Sequence, residues 1–223
     1  MSDGLKFPTA DSGMKDGLQI TEPAFVPLSP GELCALLSVR LEVILAMSQL
    51  TPKELSFQDL CQEILQYFRT AIPCEAGSLF EVSSSTNELF VRTAFGKAAA
   101  QVESFRIPLG QGIVGHVVES RDPMVLSGDV ERSRIFMRQI ADAVGFQARC
   151  ILVVPIVVRG RSFAAVELLN RVGVGQFDKR DVETAMMLSK VAAAILEARL
   201  ILAYALGAGA GEETGTFGDD QAA

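Results

Sequence analysis

The chain has 223 residues, 49% hydrophobic and 21% charged, which is enough for one well-buried core with tails to spare. A net charge of −7 and the lack of any Lys/Arg stripe argue against a surface for phosphate backbones, so no nucleic-acid partner is expected. Four widely spaced cysteines, Cys34, Cys61, Cys74 and Cys150, form no CxxC pair and follow no signal-peptide pattern, which predicts buried thiols in a cytoplasmic protein.

Residues 1–30 mix Gly, Pro, Asp, Ser and Thr without sustained periodicity, the composition of a disordered lead-in. From Glu32 the spacing predicts a helix that ends at Thr51 and Pro52. Its Leu33, Leu36, Leu37, Val43, Ile44, Met47 and Leu50 recur at three-and-four spacing as one narrow stripe that seeks a partner helix. A second helix opens at Ser56, with Asp59 completing a capping-box variant and Leu55 stapling onto Leu60. It runs to about Thr70 and buries Leu60, Cys61, Ile64, Leu65 and Phe68. The period then changes to two. Gly77 to Val82 and Glu88 to Phe95 read as a hairpin across SSSTN, and a third strand runs from about Glu103 to Ile107.

GQGIVG, from Gly110 to Gly115, matches the glycine pattern of a dinucleotide fingerprint, with Asp129 near the place of its acid. That fingerprint needs a parallel strand and a long helix, whereas the helix predicted at Ile113 to Ser120 has only about two turns and its neighbours read as hairpins. The alternative is that the glycines let a short helix pack tightly on a sheet. A short strand at Pro123 to Leu126 precedes a helix from about Glu131 to Val144. Two apolar runs follow, Cys150 to Val158 and Phe163 to Leu169, joined by Arg159, Gly160, Arg161 and Ser162 as a hairpin. The first is a strand covered on both faces, and Pro155 calls for a bulge or for one unpaired side. In the second, alternation puts Phe163, Ala165, Glu167 and Leu169 on one face. The last helix has Asp178 as N-cap, Asp181 at N3 and Phe177 stapled to Val182. Val182, Met186, Ala193, Leu196 and Leu200 give it a second stripe. Glu197 and Arg199 interrupt the apolar stretch from Val191 to Gly207, so no membrane span is expected. Residues 207–223 form an acidic tail too poor in apolar surface to order itself. The element order predicts an α+β fold, a mainly antiparallel sheet of about six strands with helices on both faces.

Three segments, RIPLGQGIVGHV, GFQARCILVVPI and ELLNR followed by FDKRD, occur in that order between Glu32 and Leu200. On these residues the chain resembles the GAF domains, most closely those of cyclic-nucleotide phosphodiesterases. Residues 31–206 then form one such domain with flanking dimerisation helices. Asn170, Arg171, Phe177 and Asp181 fill the places of the family's signature, with Val182 where Glu is usual, and their expected role is architectural, with Arg171 paired to Asp181. The resemblance implies a pocket lined by Ser78, Phe95, Met137, Ala141, Val144, Ala148 and Glu167, with Phe95 stacking on a base. Gly96 stands where members that bind cyclic GMP have a base-reading Asp, and Ala141, Val144 and Ala148 stand where Asp, Thr and Thr hydrogen-bond that nucleotide. Losing these partners argues against cyclic GMP as the ligand.

Glu167 has two readings: it hydrogen-bonds a neutral or cationic ligand in an otherwise apolar pocket, or it accepts backbone N–H groups or pairs with Arg149. Arg132, Arg134 and Arg138 are read as a solvated helix face, and His116, without an Asp or Ser partner at motif spacing, as a packing or surface residue. No GxSxG, HExxH or Walker pattern nominates a hydrolase or a metal site, and no cofactor is identified. Three classes follow. The first is a sensory module that binds a small ligand, works as a homodimer through its first and last helices and signals to a separate protein. The second is a ligand-free dimerisation scaffold. The third is a GAF-fold reductase of free methionine sulfoxide, for which Cys74 and Cys150 are the candidate thiols although that family's cysteine spacing is absent. The first is the reading adopted.

Overall fold

Side chains of a strand alternate between two faces, so a run that is apolar at every position needs cover on both. The run Cys150–Val158 (β5) receives it: Cys150, Leu152, Val154, Ile156 and Val158 enter one core cluster, Ile151 and Val153 the other. The computed structural model describes residues 29–50, 55–128, 130, 145–173 and 175–205. Within these, β1 (Cys74–Ser83), β2 (Glu88–Phe95), β3 (Arg106–Pro108), β4 (Met124–Ser127), β5 and β6 (Arg161–Arg171) form one sheet in the order β3-β2-β1-β6-β5-β4. Every pairing is antiparallel. Helices α1 (Pro30–Ser48), α2 (Phe57–Ala71) and α5 (Lys179–Ala205) contribute to the cluster on one face, and α4 (Gly112–Ser120) to the cluster on the other. One helical turn, α3 (Ala99–Val102), precedes β3.

The helix starts follow their caps. Ser29 and Glu32 make a reciprocal capping box with Pro30 at the first helical position, so α1 begins two residues before the expected Glu32. In α2 the amide of Asp59 donates to the Ser56 hydroxyl at 3.1 Å. In α5 the amide of Asp181 donates to Asp178 Oδ1 at 2.9 Å while the amide of Asp178 donates to Asp181 Oδ2 at 3.2 Å. Phe177 and Val182 are buried together in the core. Among the described residues no helix is long and apolar enough to cross a membrane.

Several expectations need correction. The third strand is shorter and later than Glu103 to Ile107, because residues 99–102 take a helical turn first. Phe163 does not share a face with Ala165 and Glu167. Ile156 pairs with Ala164 and Val157 with Ser162, so Phe163 is an extra residue in β6 and turns to the α2 side with Ala164. Pro155 sits next to this bulge, beyond the last β5 residue that β4 pairs. The stripe on α1 is not confined to one face: Val43 and Met47 are buried, but Leu33 and Leu37 are exposed along with Val39, Leu41 and Leu45. Cys34 is exposed, and the other three cysteines are buried. The helix expected at 131–144 and the tails 1–28 and 206–223 lie outside the described residues.

The glycine segment forms a tight entry to α4. Gly110 (φ +77°) and Gly112 (φ +67°) are left-handed, and a Cβ on Gly115 would lie 3.0 Å from the Gly110 backbone. With antiparallel neighbours and a nine-residue helix, the segment packs α4 on the sheet and lacks the strand–turn–helix of a dinucleotide fingerprint. Gly115→Ala is expected to lower stability by about 1–3 kcal/mol in urea melts, since the atom it meets is backbone and cannot rotate away.

Candidate functional site

Glu167 lies at the middle of one rung of the sheet. It pairs with Ser78 of β1 on one side and Val153 of β5 on the other. Ser78 in turn pairs with Ala94 of β2, and Val153 with Met124 of β4. Directly paired residues point to the same face, so Ala94, Ser78, Glu167, Val153 and Met124 form a row across five strands. The row belongs to the α4 side, where Ala94, Val153, Met124, Ala165, Leu169 and Ile151 are part of an apolar cluster. Ala148, just before β5, joins the same cluster.

Glu167 is partly buried, and burial pushes its pKa up to about 7. Among the described residues no hydrogen bond or ion pair engages its carboxyl. Arg149, the partner suggested by the sequence, is turned away: its guanidinium meets Glu75 Oε1 at 2.6 Å. Near neutral pH the Glu167 carboxyl therefore exists in both protonation states and can accept or donate a hydrogen bond.

Of the other residues expected to line this site, Ser78 and Ala148 are on the Glu167 face. Phe95 is on the opposite one. Leu79 pairs with Thr93 and Phe80 with Val91, so Arg92 is an extra residue in β2 that reverses the facing of the positions after it. Phe95 enters the α2 cluster, with the Arg69 guanidinium 4.9 Å from its ring centre, and Ala94 takes the place beside Ser78. The extra residue is anchored, since Arg92 Nε lies 2.6 Å from the buried Glu81 carboxylate and its guanidinium stands over the Phe57 ring. Sequence reasoning nominates neither Ala94 nor Val153 for the site, and only the register brings them there. Met137, Ala141 and Val144, like Arg132, Arg134 and Arg138, lie outside the described residues.

The signature residues lie at the end of the sheet. Asn170 is 1% exposed with φ +59°. Its Oδ1 accepts the amides of Arg149 and Cys150, and its Nδ2 donates to Gln147 O and Glu75 Oε2, which fastens the segment carrying Ala148. Hydrogen bonds from Asn170 and Arg149 hold the Glu75 carboxyl below its usual range. Arg171 Nε lies 3.1 Å from Asp181 Oδ2, and Phe177 fills the core below. His116 Nδ1 makes a 2.7 Å hydrogen bond with Gly112 O inside α4, a local structural contact.

Cys74 and Cys150 belong to the α2-side cluster, across the sheet from Glu167. Burial pushes Cys61 and Cys74 up to about 12 and raises Cys150 as well, which removes the thiolate that nucleophilic chemistry requires. A thiol reagent such as DTNB is expected to react rapidly with Cys34 alone in native protein, and with the other three only after denaturation. Among the described residues no group of His, Cys, Asp and Glu could hold a metal ion.

Residues 54–197 match a family model described as GAF domain. The chain is 28% identical over 116 residues to Dual 3',5'-cyclic-AMP and -GMP phosphodiesterase 11 of Drosophila melanogaster, an alignment covering 46% of this chain and 8% of that protein. The chain thus spans only a small part of that relative. The GAF domain from a phosphoenolpyruvate-protein phosphotransferase of Coxiella burnetii is similar in fold, with TM-score 0.63 and 18% identity over 78% of this chain and 96% of that one. So is the free methionine-R-sulfoxide reductase from Neisseria meningitidis, in complex with its substrate, with TM-score 0.62 and 19% identity over 82% of this chain and 99% of that one. At such identities the likeness is one of fold.

Proposed function

The chain belongs to the GAF domain family, whose members are generally regulatory, and on that premise we propose that it is a non-catalytic, cytoplasmic sensory module. It binds a small neutral or cationic ligand on the Glu167 face and signals as a homodimer through α1 and α5 to a separate protein. The observation that carries this reading is a titratable carboxyl at the centre of a five-strand row on an apolar face, with no charge partner among the described residues. A ligand offering N–H donors would supply the missing partner, and the surrounding hydrocarbon favours a molecule with an apolar body.

Cyclic GMP does not suit the site. Gly96, where an Asp would read the base, has φ +112°, and a Cβ there would lie 2.7 Å from the Cβ of Ala76, so no Asp fits without moving the backbone. Phe95 faces α2 and Ala148 offers no hydrogen bond. The homodimer reading is supported by Leu33, Leu37, Leu41 and Leu45, which leave α1 with apolar side chains 41–58% exposed.

Thermal melts of the purified protein against cyclic AMP, cyclic GMP and a panel of amines and nucleobases test this. A binding compound at about 100 times its Kd adds roughly 2.7 kcal/mol, and Glu167→Gln should abolish that shift. A response to cyclic GMP would overturn the pocket reading, and a panel without any response would favour a ligand-free dimerisation scaffold. Light scattering is expected to give twice the chain mass, and a monomer would remove the dimer from the proposal.

A further inference from the structure

Helix α1 is attached to the domain by a small number of side chains. Val43 and Met47 are buried in the core, with Ile44 and Leu50 partly buried beside them, whereas residues 30–35 and 37–39 are all exposed. On the docked part of the helix stands Arg40, 8% exposed. Its Nη2 lies 3.8 Å from Asp181 Oδ1, and its Nε is buried without a hydrogen-bond partner among the described residues. The other oxygen of that carboxylate, Oδ2, accepts from Arg171 Nε and from the amide of Asp178. Arg180, 3.8 Å from Asp178, completes a cluster of three guanidiniums and two carboxylates. Burial lowers the pKa of Arg40, only partly offset by Asp181, Asp178 and the exposed Glu183.

We propose that α1 is a releasable helix and that Arg40 keeps it so. Docking Val43 and Met47 draws a guanidinium into a buried place where one nitrogen has no hydrogen-bond partner among the described residues, while undocking returns that group to water. On release Asp181 keeps Arg171 and the Asp178 amide on Oδ2, and water replaces Arg40 beside Oδ1. The apolar anchors pull the helix in and the arginine weakens their hold, so α1 opens without the sheet. The test uses the protein without added ligand, so this inference stands or falls apart from the ligand reading.

Native-state hydrogen exchange on the full chain, followed by mass spectrometry of peptides from α1, β5 and β6, is the test. Peptides spanning 40–48 are expected to exchange faster than those of β5 and β6. Arg40→Met removes the buried guanidinium and keeps an apolar side chain of similar length. It should raise protection of α1 about tenfold or more while β5 and β6 stay as they are. Val43→Ala, which shortens an anchor, should lower α1 protection further. If α1 in the wild-type chain exchanges only together with β5 and β6, the helix is not releasable and the proposal fails without recourse to any variant. If Arg40→Met leaves α1 protection unchanged or lowers it, Arg40 is neutral or is itself an anchor, and the proposal fails in that way.

Discussion

Replacing Glu167 by Gln is expected to raise stability by about 3 kcal/mol at pH 8 and to change it little at pH 4. In the fold the carboxyl ionises near pH 7 in place of its ordinary 4.5, because burial penalises the charged form. Below about pH 4.5 the group is protonated in both folded and unfolded chains, and its stability contribution is fully present. Between 4.5 and 7 the folded chain holds the proton that the unfolded chain has released, so stability falls as pH rises. Above the folded pKa the loss levels off, at about 1.36 kcal/mol for each pH unit that separates the folded and unfolded pKa values. Urea melts of both proteins from pH 4 to 9 should therefore give a difference that is flat, climbs through this window and becomes level again. A Gln variant that is less stable at pH 8 and binds ligand unchanged would assign Glu167 a structural role. In the proposed sensor, the same property makes ligand affinity depend on pH, since a donor on the ligand prefers the ionised carboxylate.

Asn170→Ala is expected to cost about 3–5 kcal/mol in the same melts. The side chain is almost fully buried and engages the amides of Arg149 and Cys150, the carbonyl of Gln147 and the carboxylate of Glu75. Leaving buried groups unpaired costs about 1–3 kcal/mol each. Ala also tolerates the φ of +59° less well than Asn. Asn170→Gly separates these contributions, since it relieves the backbone but still removes the bonds, and its loss should be only slightly smaller. A drop of less than about 1 kcal/mol for Ala would mean that water or a rearranged loop takes over those contacts. Because Asn170 fastens the segment that carries Ala148, the variant should also weaken any ligand bound on the Glu167 face.

Much of this architecture is legible in the chain itself, because it depends on groups that are close in sequence. Ser56 with Asp59 and Asp178 with Asp181 cap helices three residues apart, and β5 declares itself by being apolar at every position. Glu167 stands out because a carboxylate in such a run has to be explained; the signature at Asn170, Arg171, Phe177 and Asp181 is read from the family resemblance, with Phe177 and Asp181 also placed as staple and cap by local spacing. These are short-range properties: a cap, a period and a turn are specified by neighbours.

Facing is different, because a single extra residue reverses every position after it. The bulges at Arg92 and Phe163 arise where a strand must keep pairing while its side chains meet other elements, and no local pattern in β2 or β6 announces them. That is why alternation puts Phe163, and the family resemblance puts Phe95, on the wrong face, and why neither points to Ala94 and Val153 beside Glu167. The exposure of Cys34 and of the leucines on α1 likewise depends on how far a neighbouring element reaches. Residue order alone was enough for α2, α4 and α5, the caps of α2 and α5, the apolar strands and the family. Which side chains of the neighbouring strands share a face with Glu167, and that Arg40 also meets Asp181, came only from the folded chain, since both depend on register and on contacts between segments far apart in sequence.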